Sequence, residues 1–162
     1  GSATRELCHG GSMLLHPVVH LHVFSPEGKL FLQHRSSLKD IQPGKWDTSV
    51  GGHVDYGEQV EDALLREARE ELGLTNISPV KLYTYIFSSD RERELVNTFY
   101  AVCKESDVRV DHDEVTEGRF FSEKEISDKL ESGGMFTPNF EMEFRKLQAV
   151  HVFDVISGNQ KG

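Results

Sequence analysis

Cysteine is nearly absent. Cys8 and Cys103 are the only two in 162 residues and lie far apart, which excludes a disulfide framework and leaves no zinc-ribbon spacing to read. Positive charge is scarce as well. With 18 Lys and Arg against 27 Asp and Glu, the formal charge is −9, and the chain lacks the basic surplus that coating a nucleic-acid backbone demands. No nucleic-acid polymer is expected as a partner, and a phosphate handled here is expected to arrive with a cation. No apolar run approaches the roughly 20 residues of a membrane-spanning helix, and no charged start followed by an apolar segment marks a signal peptide. The expectations are no membrane and a reducing cytoplasm. Only 5 residues are proline, and 37% hydrophobic with 28% charged is globular composition, of a length that suits one domain.

Residues 1–13 read as an N-terminal arm or loop, with Gly1-Ser2 as a cloning scar, and 157–162 as a flexible C-terminal tail. The domain between them, 14–156, opens with the β-formers Val18 to Phe24, turn chemistry at Ser25-Pro26-Glu27-Gly28, and extended character from Lys29 to His34, a β-hairpin. Trp46 to Val50 is a short strand ending at Gly51-Gly52, followed by a strand or turn to Gly57. From Glu58 to Leu72 there is neither Gly nor Pro, and Gly73 stands where helices stop in left-handed conformation. Ile77 to Ser88 and Leu95 to Cys103 predict a long hairpin, Gly118 to Phe121 a short strand, and Ser122 with Glu125 a capping box for a helix over 123–130. Pro138 to Val150 predicts a last helix. The fold class is α+β, a mixed sheet sandwiched between helices.

The helix over 58–73 carries the chemistry. At about 100° per residue, Glu67, Glu70 and Glu71 share one arc of roughly 100°. Leu64, Ala68, Leu72 and Leu65 continue as an apolar stripe beside them, while Asp62, Arg66 and Arg69 fall on the solvent side. Charge on a helix usually means a solvated face, here balanced by Arg66 and Arg69. Three like charges bordering a core would instead repel one another and lose hydration, and so call for a cation. Mg²⁺ or Mn²⁺, which take oxygen ligands, would answer that need. Gly51 and Gly52 have no side chains, so a backbone carbonyl there can approach a metal closely.

These residues fill one pattern: Gly52, five residues, Glu58, seven residues, Arg66-Glu67-Ala68, one residue, Glu70-Glu71, one residue, Gly73-Leu74. It resembles the Nudix box at every defined position, and the chain from about Leu14 to Val155 fits the size and element order of that fold. The resemblance implies a hydrolase that cleaves a diphosphate linkage in a small phosphorylated molecule, of the type nucleoside diphosphate linked to another group. It implies Glu67 and Glu71 as metal ligands, Glu70 as a ligand or proton acceptor, and the Gly51 carbonyl beside them. Gly52, Glu58, Arg66 and Gly73 take structural roles. A general base outside the box is common in the family; Glu114 and Glu117 are the local candidates, with a plain solvated loop as the alternative. Arg35 and Lys39 could hold a terminal phosphate or simply serve solubility. A homodimer is left open.

The stretch Pro43 to His53 also looks like isopentenyl-diphosphate isomerase, a divergent member of the same fold. By spacing, that likeness matches His9, His16, His53, Glu92 and Glu94 to a second metal site; for each, an ordinary hydrogen-bonded or ion-paired side chain is the alternative. It places Gly51 where the isomerase carries its catalytic Cys. His20, His22 and His34 are expected to be ordinary hydrogen-bonded side chains, and Trp46, Phe24, Phe31, Phe87, Phe99 and Tyr100 mostly core, with one of them lining the substrate pocket. The hydrolase reading therefore leads, with the isomerase and a non-catalytic nucleotide-sensing module as alternatives.

Overall fold

A computed structural model of the chain describes residues 15–34, 45–88, 93–110 and 117–161. His9, Arg35, Lys39, Glu92 and Glu114 lie outside the described residues, as does the arm over 1–13. Among the described residues seven strands form one mixed sheet. β1 (Leu15–Phe24) is its spine, running parallel to β6 (Arg93–Val102) over its whole length, and β5 (Val80–Ser88) adds antiparallel to β6. On its other side β1 meets β2 (Leu30–His34) only at Phe24 opposite Leu30, then pairs from Val18 to Leu21 with β4 (Val50–His53). β2 carries β3 (Trp46–Asp47) and β7 (Glu117–Phe121), both antiparallel. Among the described residues the α-helices, in chain order, are α1 (Val60–Leu72, between β4 and β5), α2 (Glu123–Ser132), α3 (Pro138–Ala149) and α4 (Val152–Lys161).

Alternation along the strands divides the core in two. Val19, Leu21 and Val23 of β1, with Phe31 and Val50, pack against Ala63, Leu64, Ala68 and Leu72 of α1. Phe24, Leu30 and Leu32 point the other way, into an aromatic cluster with Phe136, Phe140, Phe144 and Phe153 from α3, its approach and α4. Helices thus cover both faces of the sheet, the α+β arrangement expected. Both caps foreseen are present. Gly73 has φ 67° and its N–H bonds to the Arg69 carbonyl, and Ser122 and Glu125 form the reciprocal capping box.

Several details differ from the sequence reading. β4 runs through the glycine pair instead of a strand ending there, because β1 supplies partners for Gly51 and Gly52 at His20 and Val19. α1 begins at Val60, not Glu58, whose carboxylate is engaged in the preceding turn with the Asp55 N–H. Leu65 is exposed rather than part of the apolar stripe. A fourth helix, α4, occupies much of the segment expected as a tail; Val152, Phe153 and Ile156 bury against α3 and hold it there.

Candidate active site

The glycine pair and α1 are fitted to each other. A Cβ on Gly52 would lie 2.3 Å from Cδ of Glu67, so only glycine allows β4 to approach the helix with that carboxylate in place. Arg66, on the solvent arc of the wheel but implied by the family likeness to hold the loop to the helix together with Glu58, is a clamp. Its Nε donates to Glu58 Oε2 at 2.9 Å, its Nη2 to Glu58 Oε1 and the His53 carbonyl at 3.1 Å each, and its Nη1 to Glu67 Oε1 at 2.8 Å. One guanidinium therefore ties the turn before α1, the end of β4 and an acidic residue of the helix together. Arg66 holds the Glu58 carboxyl below the usual range, with the Asp55 N–H assisting.

Glu71 is the anomaly. Gln33 Nε2 donates to its Oε1 at 2.7 Å while also donating to the Ser49 carbonyl, yet its Oε2 is buried with no hydrogen-bond partner. Burial pushes its carboxyl up to about 8, the Gln33 and Gly51 N–H donors offset only part of this, and the carboxylate of Glu67 pushes further in the same direction. A buried acceptor left unsatisfied is unfavourable. It fits a site for a divalent cation, whose charge would replace the proton and whose coordination would occupy the orphaned oxygen. Among the described residues no three His, Cys, Asp or Glu side chains already converge as a ready-made metal cage.

A pocket of about 680 Å³ opens here, within the range that accepts a small molecule. Of the residues singled out in the sequence, Gly51, Gly52, His53, Glu71 and Glu94 line it together. Glu67 and Glu70 do not; Glu70 has a side chain 51% exposed and a long, 3.5 Å contact to Arg66. His16 pairs with Glu94 in the β1–β6 register without lining the pocket. Phe87 is the aromatic that does line it.

His20 also lines the pocket, and it is more than an incidental side chain. Its Nδ1 is hydrogen-bonded to Glu143 Oε2, while His22 Nε2 stands 3.1 Å from Glu143 Oε1. Burial pulls the His20 imidazole down, but the charge and hydrogen bond of Glu143, with Asp47 and Glu94 behind them, outweigh it and raise it. Glu143 is fully buried and is nevertheless held well below the usual carboxylate range, because the two imidazoles outweigh desolvation. The sequence contained a signal for it: Glu143 falls within the apolar arc of Phe140, Phe144 and Leu147, where an acid needs a buried partner. The partner's identity had no signal, since it lies 123 and 121 residues away.

The NUDIX domain family profile matches residues 14–140. An uncharacterized Nudix hydrolase of Listeria monocytogenes is 32% identical over 131 residues, covering 78% of this chain and 74% of that protein. The isopentenyl-diphosphate Delta-isomerase of Citrobacter koseri is 38% identical over 82 residues, covering 49% of this chain and 45% of the isomerase. A crystal structure from Deinococcus radiodurans superposes with TM-score 0.70 at 23% identity, covering 83% of this chain and 86% of that one.

Proposed function

Because the chain belongs to the Nudix hydrolase family, we propose that it hydrolyses the phosphoric anhydride of a small diphosphate, a nucleoside diphosphate linked to another group. Glu67, Glu70, Glu71 and the Gly51 carbonyl would hold Mg²⁺ or Mn²⁺. Bound there, such an ion neutralises diphosphate charge and lowers the pKa of water, the two demands of anhydride cleavage. The chain's own contribution is positional. Gly52 leaves room for Glu67, Arg66 holds Glu67 and the end of β4 in one frame, and Gln33 orients Glu71. The observation that carries the reading is Glu71: a carboxylate lining the pocket, withdrawn from water, with one oxygen unsatisfied.

Glu71→Gln tests it, since the substitution removes the charge and nearly keeps the volume. Turnover of a productive substrate with Mg²⁺ should fall by roughly 100-fold or more, the order expected from losing a few kcal/mol of metal-assisted transition-state stabilisation. Mn²⁺ affinity, read by electron paramagnetic resonance, should fall with it. Unchanged turnover, or unchanged Mn²⁺ affinity, would sink the assignment. A general base at Glu114 and phosphate contacts from Arg35 and Lys39 belong to the same proposal.

The isomerase-like relatives favour a second reading, a further metal near His53 and Glu94, which share the pocket with Glu71. His16 adjoins Glu94, and His9 and Glu92 would complete the set. Gly51 supplies no thiol for isomerase chemistry, so proton exchange from deuterated water into isopentenyl diphosphate is expected to be absent. A non-catalytic sensor would instead bind nucleotide without any metal-dependent turnover.

A further inference from the structure

The two histidines that satisfy Glu143 are not placed alike. His22 is wholly withdrawn from solvent, whereas the His20 side chain keeps 13% of its surface and lines the pocket. A partner needed only to satisfy Glu143 gains nothing from an edge left in a cavity. The ring is also held in one orientation. A carboxylate can only accept, so Nδ1 carries the proton of the bond to Glu143 Oε2, while His22 holds Oε1 of the same carboxylate. Among the described residues Glu143 is the one hydrogen-bond partner of the His20 ring, which leaves Nε2 for whatever enters the pocket.

The sheet fixes where Nε2 lies. His20 pairs with Gly51 across β1 and β4, and a Cβ on Gly51 would come 3.5 Å from His20 Cδ2 and 3.8 Å from Nε2. The outward edge of the imidazole therefore passes beside Gly51, in the cavity that Glu71 also lines. Asp47 of β3, Thr48 after it, and Thr137 and Asn139 at the start of α3 continue the wall, and among the described residues no Lys or Arg lines it. A diphosphate entering a pocket walled by Asp47, Glu71 and Glu94 needs donors to its oxygens as well as a cation. His53, another imidazole of the lining, is exposed; His20 is anchored from behind by a buried carboxylate.

We infer that His20 is a substrate-contacting residue, its Nε2–H donating to a non-bridging oxygen of the diphosphate, with Glu143 the positioning residue that fixes the ring. Between two anions, the Glu143 carboxylate on one edge and the phosphate oxygen on the other, the imidazole donates from both nitrogens. This rests on the diphosphate reading above and adds a contact from β1, a strand that carries no box residue. Two substitutions separate the edges of the ring. His20→Asn keeps an amide nitrogen near the place of Nδ1, and with it the bond to Glu143, but has nothing at Nε2. His20→Gln reaches the place of Nε2 and gives up the bond to Glu143.

The probe is α,β-methylene-ADP with Mg²⁺, a diphosphate that cannot be hydrolysed at its bridge, with binding read by calorimetry. His20→Asn should raise Kd by roughly tenfold or more, the order for one lost charge-assisted hydrogen bond, while Mn²⁺ affinity, read by electron paramagnetic resonance, stays unchanged. His20→Gln should remain within about threefold of the unsubstituted chain, since it restores a donor at the pocket edge. A side chain that serves only to satisfy Glu143 predicts the reverse order. Glu143→Gln should raise Kd by about threefold beside His20 and leave it unmoved beside His20→Gln, because a positioning residue acts only through the ring it positions; equal losses in both backgrounds would make Glu143 structural alone. The contact is overturned by a His20→Asn chain that binds the probe normally, by Mn²⁺ affinity falling with that substitution, by turnover falling while Kd stays put, or by an unsubstituted chain that does not bind the probe. Absence of turnover with every substrate and metal, with the pattern in Kd intact, would refute the hydrolase reading and leave the contact standing.

Discussion

Glu143 and Glu71 are both glutamates drawn out of water, one on a helix over each face of the same sheet, and the fold treats them in opposite ways. Glu143 has an imidazole on each oxygen and is held well below the ordinary carboxylate range. Glu71 has Gln33 on one oxygen and nothing on the other, with Glu67 beside it, and is pushed up to about 8. Burial acts on both; what differs is whether the chain supplies the compensation. Full compensation makes Glu143 a bolt between α3 and β1. Its absence at Glu71 leaves a need that something from solution must meet, which is the physical mark of a site as distinct from a core.

The comparison is broken most severely by removing the satisfied acid. Glu143→Ala strands two imidazoles under α3 and should cost about 3–5 kcal/mol of unfolding free energy, read by urea denaturation without metal, whereas Glu71→Gln should cost little or stabilise. Equal losses from the two substitutions would show that the chain compensates both carboxylates alike. The second contrast is pH dependence. Unfolded, Glu71 releases its proton in the usual carboxylate range, but folded it keeps it up to about 8, so the unfolded chain holds fewer protons across that window and metal-free stability should fall as pH rises through it. Glu143 has the opposite sign: its stabilisation is present above the usual carboxylate range and is lost as pH falls through it. His20, raised by the same carboxylate, stabilises below its ordinary value and loses that contribution as pH climbs through its folded value. Thermal unfolding without metal should therefore decline on both sides of mildly acidic pH. Added Mg²⁺ should lift the alkaline side by a few degrees, on the order of one or two kcal/mol; an alkaline limb indifferent to Mg²⁺ would contradict the role given to Glu71. The smallest effect sharpens the frame around the site. Gly52→Ala places a methyl against the far end of Glu67, which can swing aside, so the fold should persist while Mn²⁺ affinity drops by about tenfold.

The box helix was legible because its information is local. Residue type, spacing and the stop at Gly73 are all contained within one continuous segment, and the three acids on one arc follow from helical period alone. The capping box at Ser122 and Glu125 was legible for the same reason. The start of α1 was misjudged because the preceding turn engages the Glu58 carboxylate, and Leu65 because it sits at the edge of the apolar stripe beside Arg69 and is left exposed. The far wall of the pocket was not legible. Thr48, Thr137 and Asn139 are unremarkable residues in sequence, and His20 and His22 sit in a strand that reads simply as alternating.

By itself, then, the sequence determined the family, the α+β class and the identity of the acidic helix, since each depends on short-range pattern. Only the tertiary structure decided that Glu71, rather than Glu67 or Glu70, faces the pocket. It alone made Glu143 the partner of two histidines more than a hundred residues away. The reason is physical: the worth of a charged or polar side chain is set by its solvation and its neighbours, and those are fixed by packing between segments, which no local pattern encodes.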